Sequence, residues 1–232
     1  KGASTNIMKQ YRSTDGFVLS RQNLGEYDRI IRLYTKEFGR LDAVAKGVRK
    51  PTSKLASRME PFHEVHWRIV DGRGLPTIIG ADILRVAPDQ YDLSSLWRAH
   101  AILELTERSF SQDETSEAWY EFLQEALPNA LGTHGDIVWF TALSLSLDEL
   151  GLSPELPQTE ITHSFHVSQG KFDVEHGTHE ISPRMLKLWR LTKRMKLSQI
   201  LQLQDIAEDA RELANLLEQF WLYHTGFVLK SR

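Results

Sequence analysis

From Gly16 to Gly47 the chain reads GFVLSRQNLGEYDRIIRLYTKEFGRLDAVAKG, and its apolar residues recur with a period of two. In GFVLSR, Phe17, Leu19 and Arg21 share a face. In RIIRLYT, Ile31, Leu33 and Thr35 oppose Ile30, Arg32 and Tyr34; in RLDAVAKG, Leu41, Ala43 and Ala45 oppose Asp42, Val44 and Lys46. Successive side chains of a strand point to opposite faces, so this alternation predicts three strands, the second and third joined by a tight turn at Glu37-Phe38-Gly39. Further on, HEVHWRIVD sets Val65, Trp67 and Ile69 inward against His66, Arg68 and Val70. The cluster Asp71-Gly72-Arg73-Gly74 then turns the chain into PTIIGADILRV, a fifth strand.

Five strands between Gly16 and Val86 with one long loop suit a small Greek-key barrel, of which the OB-fold is the five-stranded case. An SH3-like barrel or a half-open sheet would show the same alternation. The long loop lies between the third and fourth strands and is basic: Lys46, Arg49, Lys50, Lys54 and Arg58 fall within residues 46–58, with no acid between Asp42 and Glu60. The 232-residue chain has a net charge of −3, but residues 1–88 hold 16 Lys+Arg against 9 Asp+Glu, a net of +7, and residues 89–232 hold 12 against 22, a net of −10. This change of sign predicts two domains, 1–88 and 89–232, the first facing nucleic acid. Aromatic residues near the loop (Tyr34, Phe38, Phe62, Trp67) add base stacking to phosphate neutralisation, the two ingredients of single-strand binding. Trp67 alternates in phase with Val65 and Ile69 and belongs to the core. Tyr34, on the face of Arg32, is the stacking candidate. A basic loop is also often a solvated surface.

Composition excludes several classes. Without cysteine there is no disulfide, redox thiol or thiolate metal site. No apolar run approaches the roughly 20 residues that cross a bilayer, and KGASTNIMKQYRSTD lacks the apolar core of a signal peptide, so a cytoplasmic location is expected. The chain has no G-x-x-x-x-G-K-[ST], G-x-S-x-G or H-E-x-x-H motif, leaving nucleotide hydrolysis and acyl transfer without a candidate site. His63 and His66 lie near Glu60 and Glu64 with no nucleophile or metal partner to complete an acid/base cluster. A non-enzymatic binding protein is therefore expected. An OB-fold binding RNA, or a barrel used only for protein contacts beside an acidic helical half, are the rival readings.

From Gln90 onward the period is helical. DLSSLWRAHAILELTERSF and SEAWYEFLQEALPNAL predict two helices, with Pro128 ending or kinking the second. GDIVWFTALSLSLDELG is apolar nearly all round, which marks a central buried helix stopped by Gly151. SPRMLKLWRLTKRMK opens on a Ser-Pro helix start. A last helix carries Ile206, Ala210, Leu213, Leu217 and Phe220 as a core seam. The fold class is thus α+β, an N-terminal five-stranded barrel followed by a helical domain.

Between the third and fourth of these helices, at roughly residues 157–181, lies a segment containing His163, His166, His176 and His179. Four imidazoles without a carboxylate or thiolate make an unusual structural zinc set. The same segment alternates as a β-hairpin, with Phe165 and Val167 facing Phe172 and Val174 across a Gln169-Gly170 turn, and exposed hairpin histidines are the expectation.

Several landmarks, taken together, resemble the RecO family of DNA repair and recombination mediators. In the first half they are the strand bearing Arg21, then Gly25-Glu26-Tyr27-Asp28, Leu33-Tyr34-Thr35, Gly39-Arg40, Ala45-Lys46-Gly47-Val48-Arg49-Lys50 and Pro61-Phe62. In the second half they are Leu150-Gly151-Leu152-Ser153-Pro154-Glu155-Leu156, Ile181-Ser182-Pro183 and Gly226-Phe227-Val228-Leu229-Lys230-Ser231. The resemblance implies an OB-fold and a helical domain. It implies binding of single- and double-stranded DNA, annealing of complementary strands and, with RecR, help in loading RecA onto DNA coated by single-stranded-DNA-binding protein (SSB), at the nucleoid. It assigns DNA contacts to Lys46, Arg49, Lys50, Lys54 and Arg58, and less directly to Arg21 and Arg40. Many members also carry two C-x-x-C pairs forming a zinc site; the matching positions here are Thr159, Thr162, Asp173 and His176, so the resemblance implies a lost metal site.

Residues 181–204 contain Arg184, Lys187, Arg190, Lys193, Arg194 and Lys196 and no acid. On a helix Lys187, Arg190 and Arg194 would form one stripe with Trp189 beside it. Such a stripe is often a solvated face. The resemblance makes it a candidate seat for the acidic, phenylalanine-terminated SSB tail.

Overall fold

The alternation in the first third of the chain becomes five strands in the computed structural model, which describes residues 10–72, 74–88, 91–132, 134–159, 161–174 and 179–229. Expectations resting on Arg73, His176, Lys230 or Ser231 lie outside the described residues. The strands are β1 (Tyr11–Leu24), β2 (Asp28–Thr35), β3 (Gly39–Ala45), β4 (Glu64–Val70) and β5 (Thr77–Arg85). β1 is longer than its alternating run because it serves two neighbours. Tyr11–Phe17 pair with β4 and Gly16–Leu24 with β2, and a bulge between Val18 and Ser20 bends the strand from one partner to the other. The β2–β3 and β4–β5 pairs are antiparallel, and a parallel pairing of Val44 with Thr77 closes the ring in the order β1-β2-β3-β5-β4. This is the five-stranded barrel of the OB-fold.

Register decides which side chains enter the barrel, because a slip of one residue would turn each strand's apolar set outward. Val18, Ile31, Leu33, Leu41, Val65, Trp67 and Ile69 fill the interior. Trp67 is fully buried and its indole N–H donates to the Gly16 carbonyl at 3.2 Å, which satisfies the one polar atom the ring brings inside. The long β3–β4 loop is anchored rather than free. Val48 and Met59 are buried in the barrel core, and Leu55 and Ala56 pack against it, Ala56–Met59 forming a short 3-10 helix.

The chain divides into two compact units: residues 1–88 with 106–120, and residues 89–105 with 121–232. In the first, residues 106–120 cover the outer face of β2 and β3. Phe110 lies against Tyr34 with ring centroids 4.9 Å apart, the Asp113 N–H donates to the Arg40 carbonyl at 2.9 Å, and Arg40 bridges to Gln112. The Tyr120 hydroxyl donates to the buried Glu64 carboxylate at 2.8 Å. Burial, and then that carboxylate, push the Tyr120 phenol far above its ordinary range, so it keeps its proton and stays the hydrogen-bond donor of the pair.

The second half is helical, with α1 (Leu93–Ser109), α2 (Glu117–Ala130), α3 (Gly135–Glu149), α4 (Pro183–Thr192), α5 (Leu197–Ile200) and α6 (Ala207–Thr225). Pro128 sits inside the last turn of α2. α3 is buried on nearly all sides, as its sequence requires, and ends where Gly151 adopts φ +66° while the Leu152 N–H reaches back to the Leu147 carbonyl. α4 begins as its Ser-Pro signature demands: the Ser182 hydroxyl accepts from the Met185 N–H at 3.1 Å and Pro183 occupies the first turn. Between α3 and α4 lies a three-stranded sheet of β6 (His163–His166), β7 (Lys171–Asp173) and β8 (His179–Ile181), in the order β7-β6-β8. Phe165 pairs with Phe172 as expected of the hairpin, Val167 and Val174 fall outside the strands, and β8 is an added partner for β6. Among the described residues no helix is long and apolar enough to cross a membrane.

Candidate nucleic-acid interface

Two loops meet at one end of the barrel. The β1–β2 turn, Gly25-Glu26-Tyr27, needs Gly25 in the left-handed region at φ +60°. The β3–β4 loop is tied to it by three hydrogen bonds: the Arg49 N–H to the Tyr27 carbonyl at 2.9 Å, the Arg49 guanidinium to the Gly25 carbonyl at 3.1 Å, and the Gly47 N–H to the Asp28 carboxylate at 2.7 Å. Turns within the loop, from the Lys50 N–H to the Gly47 carbonyl and from the Ser53 N–H to the Lys50 carbonyl, order the backbone that carries its basic side chains. Such order favours a phosphate-binding surface, since a loop backbone ordered in advance lowers the entropy lost on binding.

The five predicted cations are not equivalent. Lys46, Lys50 and Lys54 are exposed, and among the described residues no carboxylate pairs with any of their ammonium groups. Arg49 spends part of its guanidinium on the Gly25 carbonyl, and Arg58 folds back to donate to the Lys54 carbonyl. Arg21 is bound to Glu60 at 2.8 Å and to the Met59 carbonyl at 3.2 Å, so it fastens the end of the loop to β1. Arg40 donates to the Glu107 carbonyl at 2.9 Å and holds residues 106–120 to the barrel. Arg32 makes two hydrogen bonds to Asp42, at 2.7 and 2.9 Å, and a further one to Glu107. It is locked on the same face.

Tyr34 corrects the sequence reading. It does lie on the outer face with Arg32, but it is fully buried beneath Phe110, and its hydroxyl accepts from the Ser116 N–H at 3.1 Å. A base cannot reach it. Phe62 and Trp67 are buried, and Phe38 is covered by the Arg12 guanidinium, 4.6 Å from its ring centroid. The aromatic residue that does face the basic loop is Tyr27, 43% exposed, with the Lys50 ammonium 5.2 Å from its ring centroid. It sits in a turn, where no period marks it. The signal in the sequence was its adjacency to Gly25, which sets a tight turn at the mouth of the first hairpin.

The basic stripe of the helical half is also revised. Trp189 is fully buried among Phe165 and Phe172 and offers no surface to a partner. Arg190 donates to the Pro157 and Thr159 carbonyls, both at 2.8 Å. α4 ends at Thr192, so Arg194 is off the helix that would have aligned it with Lys187; both remain exposed. Lys193 is half-buried and donates to the Ser144 carbonyl, the Asp148 carboxylate and the Ser153 hydroxyl, using all three ammonium protons, while burial lowers its pKa from the ordinary lysine value.

Around the small sheet, the described residues among those expected at the cysteine positions are engaged in other contacts or carry hydroxyl groups that are poor zinc ligands. The Thr159 hydroxyl is hydrogen-bonded to His163 at 2.8 Å, the Asp173 carboxylate accepts from the Val174 N–H at 2.6 Å, and the Arg190 cation occupies the approach to residues 157–159. Among the described residues no group of His, Asp and Glu is assembled as a metal site. Phe165 packs against Phe172, Trp189 and Phe220 at centroid distances of 4.8 to 5.9 Å and ties the sheet to α4 and α6.

An N-terminal OB-fold followed by a helical half with an inserted sheet defines a class of two-part proteins in which the barrel carries a basic loop end. The family described as "Recombination protein O N terminal" matches residues 8–87, and "Recombination protein O C terminal" matches residues 90–232. The chain belongs to the RecO family of DNA repair proteins. It is 28% identical over 233 residues to the DNA repair protein RecO of Bacillus subtilis, covering 94% of this chain and 91% of that protein. The RecO of Cutibacterium acnes is 33% identical over 159 residues, 64% of each chain, and that of a Nocardioides species is 49% identical over 70 residues, 30% of this chain and 29% of its own.

Proposed function

We propose that the protein is a non-catalytic DNA-binding mediator of recombinational repair that holds single-stranded DNA at the loop end of its barrel. The observation that carries this reading is the fastening of the β3–β4 loop, with its exposed Lys46, Lys50 and Lys54, to the β1–β2 turn, while residues 106–120 occupy the β2–β3 face that OB-folds commonly offer to oligonucleotides. With that face covered, the strand runs across the loop end. The chemistry supports a strand-annealing role, since contacts to phosphates leave base edges free to pair. Competition with single-stranded DNA, double-stranded DNA and RNA oligonucleotides of equal length tests it. Single-stranded DNA should displace a labelled strand at the lowest concentration, and RNA displacing it better would move the protein to an RNA function.

Family membership supports RecR as a partner, the SSB tail as a docking peptide and loading of RecA as the outcome. For the tail we propose a seat other than the α4 stripe. A cavity of about 350 Å³ among α1, α3 and α6 is lined by Trp97, Trp139, Arg98 and Arg211 and also by Asp136 and Glu218; its aromatic walls suit a phenyl ring, and the peptide's carboxylates would take over Arg98 from Asp136 and Arg211 from Glu208, each pair now 2.9 Å apart. A labelled tail peptide should bind a Trp97→Ala/Arg211→Glu variant about tenfold more weakly, the loss of roughly 1.4 kcal/mol, and a Lys187→Glu/Arg194→Glu variant as tightly as the wild type. The opposite pattern would return the tail to α4.

A further inference from the structure

Resting on the DNA-binding reading above, we propose that Tyr27 is a base-stacking residue that makes the loop end prefer single strands over duplex. The phosphate contacts alone give no such preference, because lysines attract the backbone of either form. A ring open to solvent beside those lysines does, because only an unpaired base can lay its face on it. Tyr27 is 43% exposed in the turn between the first two strands, its backbone carbonyl is held by the Arg49 N–H at 2.9 Å, and Gly25 behind it is held by the Arg49 guanidinium. The backbone that carries the ring is therefore fixed relative to the loop. The Lys50 ammonium lies over the ring, 5.2 Å from its centroid in a cation–π contact, so a base stacks on the opposite face or displaces this exposed lysine, whose charge stays beside the nucleotide's phosphate.

Two neighbouring groups are consistent with this role. A hydrogen bond with Glu26, and then desolvation, raise the Tyr27 phenol above its ordinary value, so the ring stays neutral beside a phosphate. Asp28, the other adjacent acid, has its carboxylate engaged by the Gly47 N–H at 2.7 Å. No other aromatic side chain at this end is positioned to substitute among the described residues: Phe62 and Trp67 are buried, and Tyr34 is beneath Phe110.

The test uses the full chain and three probes of one length: a single-stranded oligonucleotide, its duplex, and an abasic strand that keeps the phosphates without the bases. Tyr27→Ala should weaken binding of the single strand by about tenfold while leaving the duplex and the abasic strand within about twofold of wild type and the salt slope unchanged. Tyr27→Phe should bind all three as the wild type does. Equal losses on all three probes, or no loss on the single strand, would overturn the proposal. A Lys46→Ala/Lys50→Ala/Lys54→Ala variant measured in parallel separates the two readings. If it binds normally, the loop end is not the DNA site and both fall; if it binds weakly while Tyr27→Ala binds normally, the stacking role alone falls.

Discussion

Replacing Lys46, Lys50 and Lys54 together with alanine is expected to weaken binding of single-stranded DNA about a hundredfold at 0.1 M salt and to lower the slope of log Kobs against log[salt] by about 2 units. Each phosphate neutralised on a single strand contributes about 0.7 to that slope through released counterions, so three lost contacts account for both figures. These three residues are chosen over Arg49 and Arg58 because the arginines already serve backbone carbonyls, Arg49 that of Gly25 and Arg58 that of Lys54. Removing the arginines would disturb the loop as well as its charge. The lysines are exposed, and truncating them should leave the unfolding midpoint nearly unchanged. The loss should be the same for oligonucleotides of any sequence, since phosphates carry no sequence information. An unchanged slope would take the loop out of the interface.

The barrel was legible because a half-buried strand writes its buried face into the sequence with a period of two. Val65, Trp67 and Ile69 could be set inside from that pattern, and all three are fully buried. The same pattern misled at Tyr34. Alternation tells which face a side chain takes but not what later covers that face, and here Phe110 and Ser116, more than 70 residues away in sequence, close over it. At Trp189 and Arg190 the error was of the same kind. Helical spacing groups residues into stripes, yet the stripe that packs inward is chosen by neighbours such as Phe165 and by the carbonyls of Pro157 and Thr159. The β3–β4 loop was read correctly as basic, but the division of its cations into exposed lysines and engaged arginines depends on where backbone carbonyls come to rest. No one-dimensional pattern records that.

The cover over the β2–β3 face rests on one glycine, and Gly39→Ala is expected to destabilise the barrel unit by about 3 to 5 kcal/mol. Gly39 has φ +60°, where a side chain costs roughly 1 to 2 kcal/mol by itself. The larger part comes from what a Cβ would meet. It would fall inside contact distance of the Glu114 carbonyl and 3.0 Å from the Thr115 nitrogen, both backbone atoms that cannot rotate aside. Relief requires residues 111–116 to lift, which breaks the hydrogen bond from the Asp113 N–H to the Arg40 carbonyl and uncovers Tyr34. Gly25→Ala supplies the control. Gly25 has the same φ of +60° but nothing within 4 Å of its added Cβ, so it should cost only the backbone term of about 1 to 2 kcal/mol. Urea unfolding of the two variants, compared at equal slope, reads the difference directly. Equal midpoints would mean that residues 111–116 yield freely and that the β2–β3 face is open to a nucleic acid strand after all, which would move the proposed DNA path from the loop end onto Tyr34 and Arg40.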